Sequence, residues 1–351
     1  MKYTYKINLD CDLAYLQKLR STHQEYNNSF FQNIEWIKTS YLTKIEKTNL
    51  CVVEILHENN LVLILPFEVT KIFFFKILRW FNDKNLDFIT PIYVGKHNFN
   101  DKEISILLKK LFDDFSNVDF IFLFKNKKRY KDIYNHICDF KTINKHYIYK
   151  ANLKNQTWQE YYEDVAGSKT RQTDRKKERS FLKNNNYNFK IAKNDNEKKK
   201  IFEFTVNYKI QFLKKKNYSK KYIKNFTNFY RVLYEEIKEK ENYIFSSLEV
   251  NDEILASAFG AVFDNTYYYL MPSDNRGKYE HLSPGRLLLI NQIKWLIDQK
   301  IDIINFGPGQ QTYKKYWHNE VCCYYDVIHW KGSKGFLIYL IYTLKKLLFV
   351  K

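Results

Sequence analysis

Apolar residues fall along this chain in short runs broken by turn residues, and one succession of runs occurs twice. The first begins at Leu50-Cys51-Val52-Val53-Glu54-Ile55-Leu56, turns at Glu58-Asn59-Asn60 and returns as Leu61-Val62-Leu63-Ile64-Leu65-Pro66-Phe67. Runs of this length, bounded by turn residues, read as paired strands. After a further apolar stretch, Leu86 to Pro91 reads as a third strand. Asp101 to Phe115 has helical spacing, and Asp119 to Phe124 reads as a buried strand. The second succession begins at Tyr243 to Glu249, turns at Asn251-Asp252-Glu253 and returns over Ile254 to Val262. Thr266 to Met271 then reads as a strand, Pro284 to Gln299 as a helix and Ile301 to Phe306 as a strand. Both series run β-turn-β-β-α-β. The pattern predicts an α/β fold with mixed (α+β) sheets, each flanked by helices and arranged in tandem, with domains over 1–150 and 151–351.

Two helical segments precede the second sheet. Gln159 to Asn184 is strongly basic, and Glu197 to Glu241 is long, charged and aromatic, with a break near Asn217-Tyr218-Ser219. In the basic segment Arg171, Arg175 and Arg179 recur every fourth residue and form one stripe. Like charges at that spacing repel slightly. An acidic substrate, an acidic patch of the protein, or solvation with Asp174 and Glu178 nearby would each relieve them. The tail, Gly335 to Lys351, is apolar and ends in Lys345, Lys346 and Lys351. It is too short and too rich in tyrosine to span a bilayer. It reads as a C-terminal helix packed on the body, since a membrane-surface helix should carry a more polar face. Peripheral contact with the inner face of a membrane is its other fate.

Composition narrows the class. The chain has 351 residues, with 45% apolar and 18% aromatic, and only Gly 9 and Pro 5. It is neither disordered nor fibrous, and is long enough for two cores. The net charge of +19 favours anionic partners, although lysine is spread along the whole chain. Five cysteines, an odd number with no C-x-x-C spacing, indicate neither a disulfide framework nor a zinc site. The histidines show no metal spacing, and no metal is expected. A reducing, cytoplasmic compartment fits, and the first residues lack the apolar core of a signal peptide.

Candidate chemistry concentrates in two loops that follow neighbouring strands of the second sheet. The first is Leu282-Ser283-Pro284-Gly285-Arg286-Leu287. Ser283 is a good N-cap, Pro284 suits the first helical position and Gly285 admits close approach to the backbone. Arg286 falls on the third helical position, where a cation opposes the helix dipole. A bound anion on that helix end, held by backbone N–H groups and the guanidinium, would account for it. An ordinary capped helix is the plainer alternative. The second loop is Asn305-Phe306-Gly307-Pro308-Gly309, followed by Tyr313-Lys314-Lys315-Tyr316-Trp317. Gly307 permits sharp geometry, Tyr313 could give a proton to a leaving group and Lys314 could hold an anion. Tyr316 and Trp317 read as packed aromatics.

These motifs carry a resemblance. Ser-Pro-Gly-x-Leu-Leu, an apolar strand, Phe-Gly-x-Gly and then Tyr-Lys-x-x-Trp resemble the acetyltransferases of the cellulose-biosynthesis CelD type, also called BioF2-like, within the GNAT superfamily. Trp158-x-x-Tyr161, Ser168-Lys169-Thr170-Arg171 and Arg175 to Leu182 are similar to that family's basic helix. The resemblance implies tandem GNAT-like domains akin to the Fem aminoacyltransferases, and a donor such as acetyl-CoA or another acyl-CoA. Its pyrophosphate would lie on Leu282, Ser283, Pro284, Gly285, Arg286 and Leu287. The strand containing Tyr269 and Leu270 would run beside the pantetheine. Tyr313 is then the catalytic candidate, and Arg171, Arg175, Asn305, Gly307 and Lys314 are candidates for substrate binding. Asn305 departs from the family's usual Asp. Glu249, Asp264, Asp274 and His281 are possible bases. The first copy has no glycine near Asp101 and is expected to lack a cofactor. The implied reaction is acylation of an amine on a glycan precursor, sugar nucleotide or amino-acid derivative. The alternatives are a Fem-like transferase using aminoacyl-tRNA and a non-catalytic partner of polysaccharide biosynthesis or export.

Overall fold

The computed structural model describes residues 2–23, 25–27, 29–44, 50–81, 87–130, 132–184, 187–275, 277, 279–309 and 311–349. Leu86, Gln310 and Lys351, and the side chains of Lys345 and Lys346, lie outside the described residues. The elements in chain order are β1 (Tyr3–Cys11), α1 (Leu13–Thr22), β2 (Glu25–Asn27), α2 (Ile34–Thr43), β3 (Leu50–His57) and β4 (Asn60–Ile72). Then come β5 (Phe75–Trp80), β6 (Ile92–Val94), α3 (Asp101–Asp114), β7 (Phe120–Lys127), β8 (Arg129–Tyr130), β9 (Ile133–Tyr134) and β10 (Lys141–Asn152). Next are α4 (Trp158–Val165), α5 (Ser168–Asn184), β11 (Tyr187–Ile191), α6 (Asp195–Lys215), α7 (Lys220–Ile237), β12 (Tyr243–Val250), β13 (Glu253–Phe263) and β14 (Thr266–Asp274). The chain ends with α8 (Pro284–Asp298), β15 (Ile303–Pro308), α9 (Thr312–Trp317), β16 (Glu320–Trp330) and α10 (Gly332–Phe349). Contacts divide the chain into two units, residues 1–146 with 323–351 and residues 147–322.

In the first unit the sheet order is β1-β3-β4-β5-β7-β16. β5 and β7 run parallel, pairing Ile77 with Phe120 and Leu78 with Ile121. The strand expected over 86–91 is a correction. The run that pairs is Phe75–Trp80, whose bulky apolar side chains suit a half-buried sheet. Ile89 makes a single bridge to Asn126, and Pro91 has no N–H to give to a ladder. α10 packs one face on this sheet. Tyr339 stacks on Trp330 with ring centroids 4.7 Å apart, Tyr342 meets Phe122 edge-on at 5.6 Å, and Asn144 donates to the Tyr342 hydroxyl at 2.7 Å.

In the second unit the order is β10-β15-β14-β13-β12-β11. Here again one neighbouring pair is parallel. β14 and β15 pair at Thr266 with Ile303, Tyr267 with Ile304 and Tyr268 with Asn305. The pairing then stops, although β14 continues to Asp274 and β15 to Pro308. A bulge on β14 lies at the parting: Gly260 pairs with Tyr269 and Phe259 with Met271, leaving Leu270 unmatched. α8 packs its buried Leu288, Ile293 and Leu296 on one face of this sheet. α6 covers the other, bringing Phe202 to Phe245 and Phe259 and Thr205 to the Ser257 hydroxyl at 2.6 Å.

Gly260 is required by this packing. A β-carbon there would overlap the Tyr267 ring, which is fully buried beside it. Gly260→Ala should therefore destabilise the protein by about 1–3 kcal/mol, read as a lowered urea midpoint with an unchanged slope. A wild-type midpoint would show that Tyr267 can move aside.

Candidate active site

The parting of β14 from β15 makes a notch whose walls are the free edge of β14 from Tyr269 onward and the end of β15. α8 begins at its mouth. Tyr269, buried, meets Tyr313 edge-on with centroids 6.4 Å apart, and Phe306 closes a triangle with both at 6.2 Å. Burial, with smaller contributions from Tyr313, Tyr267 and Asp274, pushes the Tyr269 hydroxyl far above the usual phenol range. It remains a proton-bearing donor. Asp274 lies at the end of β14, and its carboxylate stands 3.2 Å from where a β-carbon at Gly285 would be, closer than ordinary van der Waals contact. Glu249 is engaged by Lys190 at 2.6 Å and by the Ser247 hydroxyl at 3.0 Å. Asp264 sits in the β13–β14 turn, and His281 is exposed in the turn before α8. Of the four carboxylate or imidazole candidates, Asp274 is the one beside Tyr269 and the start of α8.

The start of α8 differs in detail from a side-chain-capped helix. Ser283 occupies the N-cap with left-handed backbone, φ 55° and ψ 62°, and makes no capping bond with its side chain. Its hydroxyl accepts from Lys177 Nζ on α5 at 2.8 Å. The Ser283 carbonyl accepts from the N–H groups of Arg286 and Leu287 at 3.0 and 3.2 Å. Pro284 has no N–H, so the Gly285 N–H is the first-turn donor left for an outside acceptor. Where the sequence suggests a bound anion for Arg286, the folded chain supplies Asp174. Arg286 Nε and Nη2 donate to the two Asp174 oxygens, both at 2.7 Å, and the guanidinium lies 4.7 Å over the Trp317 ring. Burial works against the guanidinium's charge, but Asp174 outweighs it and the pKa is raised. The Tyr162 hydroxyl also donates to Asp174, at 2.6 Å. Trp158, Tyr162 and Trp317 stack beside this pair, and Tyr161 donates to the Trp317 carbonyl.

The remaining predicted residues separate into scaffold and surface. Lys314 is buried, and its ammonium donates to the carbonyls of Gly307 and Pro308 at 3.3 and 2.5 Å, tying down the loop. Asn305 accepts from the Gly307 N–H at 2.8 Å, and Gly307 has φ 71°. That turn requires the left-handed region, which favours glycine. Arg171 donates to the Ala166 carbonyl at 2.7 Å and so caps α4, while Arg175 and Arg179 are exposed. Trp317 is buried and Tyr316 is 59% exposed. Lys177 and Tyr162 were not singled out from the sequence, and Asp174 was named only as a charge near the arginine stripe of its own helix. Their partners lie more than a hundred residues away or on another helix, and no local spacing signals them. A polar depression of about 450 Å³, lined by Asn152, Gln156 and Asn319 among others, lies at the other end of β15. Among the described residues no group of three or more His, Cys, Asp or Glu could hold a metal, and the five cysteines are not joined in disulfides.

Removing one member of a buried ion pair strands the other charge. Asp174→Asn should lower stability by about 3 kcal/mol, and Asp174→Asn with Arg286→Met should recover part of it. Equal losses in single and double variants, measured by chemical denaturation, would mean the pair does not hold α5 to α8.

Comparison with known proteins follows the same division. Residues 168–315 match the acetyltransferase (GNAT) domain family. No curated protein matches the chain. Among solved structures, a conserved protein of unknown function from Bacteroides thetaiotaomicron VPI-5482 superposes with a TM-score of 0.56 at 11% identity, over 92% of this chain and 100% of its own. FemX gives 0.56 at 10% identity, over 97% and 99%. The C-terminal domain of a putative lysylphosphatidylglycerol synthetase from Agrobacterium fabrum gives 0.54 at 10%, over 95% and 97%. At such identities the likeness is one of fold. Residues 168–315 are thus similar to an acetyltransferase (GNAT) domain, which together with the mixed α/β fold supports an acyltransferase.

Proposed function

We propose that the second unit transfers an acyl group from an acyl-CoA, such as acetyl-CoA, to an amine on a glycan precursor, sugar nucleotide or amino-acid derivative, as a BioF2-like transferase would. The observation that carries this reading is the notch. A strand edge left unpaired at Tyr269 and Leu270 offers backbone groups to an extended amide-bearing chain such as pantetheine. The unmatched Leu270 N–H is suited to the thioester carbonyl, whose oxygen gains charge as the amine attacks. Tyr313, across the notch from Tyr269, would donate to the thiolate as it leaves. Asp274 is the group in reach to take a proton from the incoming ammonium. Lys177 and the Gly285 N–H supply positive potential for the donor's phosphates at the start of α8. Leu282, Pro284 and Leu287 shape that end without charge. Arg286 acts through Asp174, holding α5 against α8. Gly307, Asn305 and Lys314 set the loop that presents Tyr313, and Arg171 fixes α4. Arg175, exposed on α5, is free to meet an acidic part of the acceptor.

The first unit has the same order of elements but a different helix start. The Asn100 side chain accepts from the Glu103 N–H at 3.2 Å, and Asp101 and Glu103 occupy the first turn. That helix end is satisfied from within and is negative, which suits a domain without a donor. A second reading has one observation in its favour. Asp274 already places a carboxylate at the α8 start, which suits a donor whose phosphates lie elsewhere, such as an aminoacyl ester of tRNA, steered by the exposed Arg175 and Arg179.

Acetyl-CoA should raise the melting temperature in proportion to the logarithm of its concentration, and Gly285→Val should weaken binding by pressing on Asp274. No shift with acetyl-CoA or longer acyl-CoA, together with salt-dependent tRNA binding, would favour the aminoacyl reading. Tyr313→Phe should lower turnover by about 100-fold or more with little change in donor KM. Unchanged turnover would assign Tyr313 to packing.

A further inference from the structure

Four two-residue hairpin turns occur among the described residues, and one is unlike the rest. Glu58-Asn59, Asn251-Asp252 and Asp264-Asn265 each have positive φ at both residues, and five of these six positions carry the Asn or Asp that such turns favour. The turn between β4 and β5 is Phe73-Phe74. Phe73 holds φ 54° and is 88% exposed, and Phe74 is 70% exposed. A bulky aromatic in the left-handed region is strained, and exposing two rings to water adds to the cost. With positive φ at the first residue only, folding alone would be better served by Gly-Asn at this position.

A second apolar surface leaves the first unit at the same end of its sheet. Lys76, the second residue of β5, accepts at its carbonyl from the Asp119 N–H at 2.9 Å, and the Asp119 carbonyl accepts from the Lys331 N–H at 3.2 Å. A β-carbon at Gly335 would overlap that same carbonyl, so α10 starts against it. From there α10 turns Ile338, Tyr339 and Tyr342 to the sheet. Its opposite face carries Phe336, Leu337, Leu340, Ile341 and Leu344, each at least 40% exposed. These positions fall on one stripe of about 140° at 100° per residue. The flanking charges are Lys71, Lys76 and Lys334, all exposed, and neither 70–77 nor 331–344 contains an acidic residue. The Asp119 carboxylate between them accepts from the Lys76 N–H at 2.8 Å.

We propose that this edge of the first unit docks on an anionic lipid bilayer, the Phe73-Phe74 tip and the outer face of α10 entering the interface while the lysines meet the headgroups. A projecting aromatic tip beside an apolar helix stripe, flanked by Lys71, Lys76 and Lys334 with the one carboxylate between them, Asp119, engaged by a backbone N–H, is complementary to an apolar layer behind a negatively charged plane. Among the described residues no helix is long and apolar enough to cross a membrane, so the contact is peripheral. The inference stands apart from the transfer reaction, since it uses no residue of the notch.

Flotation of the full chain with vesicles of phosphatidylcholine, and of phosphatidylcholine and phosphatidylglycerol in equal parts, tests it. The wild-type chain should float with the anionic vesicles only, and less so as salt is raised. Phe73→Gly with Phe74→Asn restores favoured turn chemistry, so it should keep or raise the melting temperature while lowering bound protein by about tenfold or more. Leu337→Gln with Leu340→Gln alters outward positions and should act in the same direction, giving a second reading if the first variant misfolds. A wild-type chain that stays at the bottom of the gradient would overturn the proposal. So would variants that float like wild type. Sedimentation showing self-association without lipid that either variant abolishes would assign the surface to a second copy instead.

Discussion

The arrangement of the second unit depends on one buried ion pair. Asp174 receives both the Arg286 guanidinium and the Tyr162 hydroxyl, so three helices, α4, α5 and α8, converge on one carboxylate. The guanidinium lies flat on Trp317, which adds α9. Two charges taken from water are tolerated because each is met in good geometry and the remaining surface is covered by aromatic rings. The consequence reaches the notch. α8 starts, α9 presents Tyr313 and α5 delivers Lys177 to Ser283 only while that junction holds. The pair therefore acts as a positioning device one layer behind the groups that would touch a donor.

The notch itself arises from strand geometry. Parallel pairing of β14 with β15 covers only three residue pairs, and then a bulge at Leu270 turns the strand away. A bulge leaves one residue out of the ladder and increases local twist. The unit thereby carries an open strand edge inside its sheet, where a partner strand would ordinarily sit. In the first unit the corresponding parallel pair is β5 with β7, and the helix preceding β7, α3, is capped by its own Asn100. The same succession of elements thus ends in two chemically different helix starts.

Hairpins, helices and the doubled β-turn-β-β-α-β order were legible in the sequence, because they rest on local periodicity and turn residues. Asn251-Asp252 and the break at Asn217 to Ser219 are of this kind: Asn and Asp adopt left-handed backbone readily, and Ser219 caps α7. Where several apolar runs competed, as between Phe75–Trp80 and 86–91, periodicity alone could not choose the paired strand. Two strands, β10 and β16, are half exposed and only loosely alternating, and no pattern announced them.

The motif Ser283 to Leu287 marked the start of α8, yet the partners of its side chains were decided elsewhere. Local rules assign Ser283 to capping and Arg286 to an outside anion. The fold gives Ser283 to Lys177 and Arg286 to Asp174, 112 residues away in sequence. Lys314 is similar: a cation read as a ligand for substrate is buried against two carbonyls of its own loop. A charged side chain takes the nearest well-placed opposite partner, and nearness across a fold is not written in spacing. By itself the sequence determined which segments become strands and helices, and where a loop needs glycine, since those follow from the chain's own covalent geometry. Which charges remain available for a ligand was decided by tertiary structure, because that depends on what packing brings within hydrogen-bond reach.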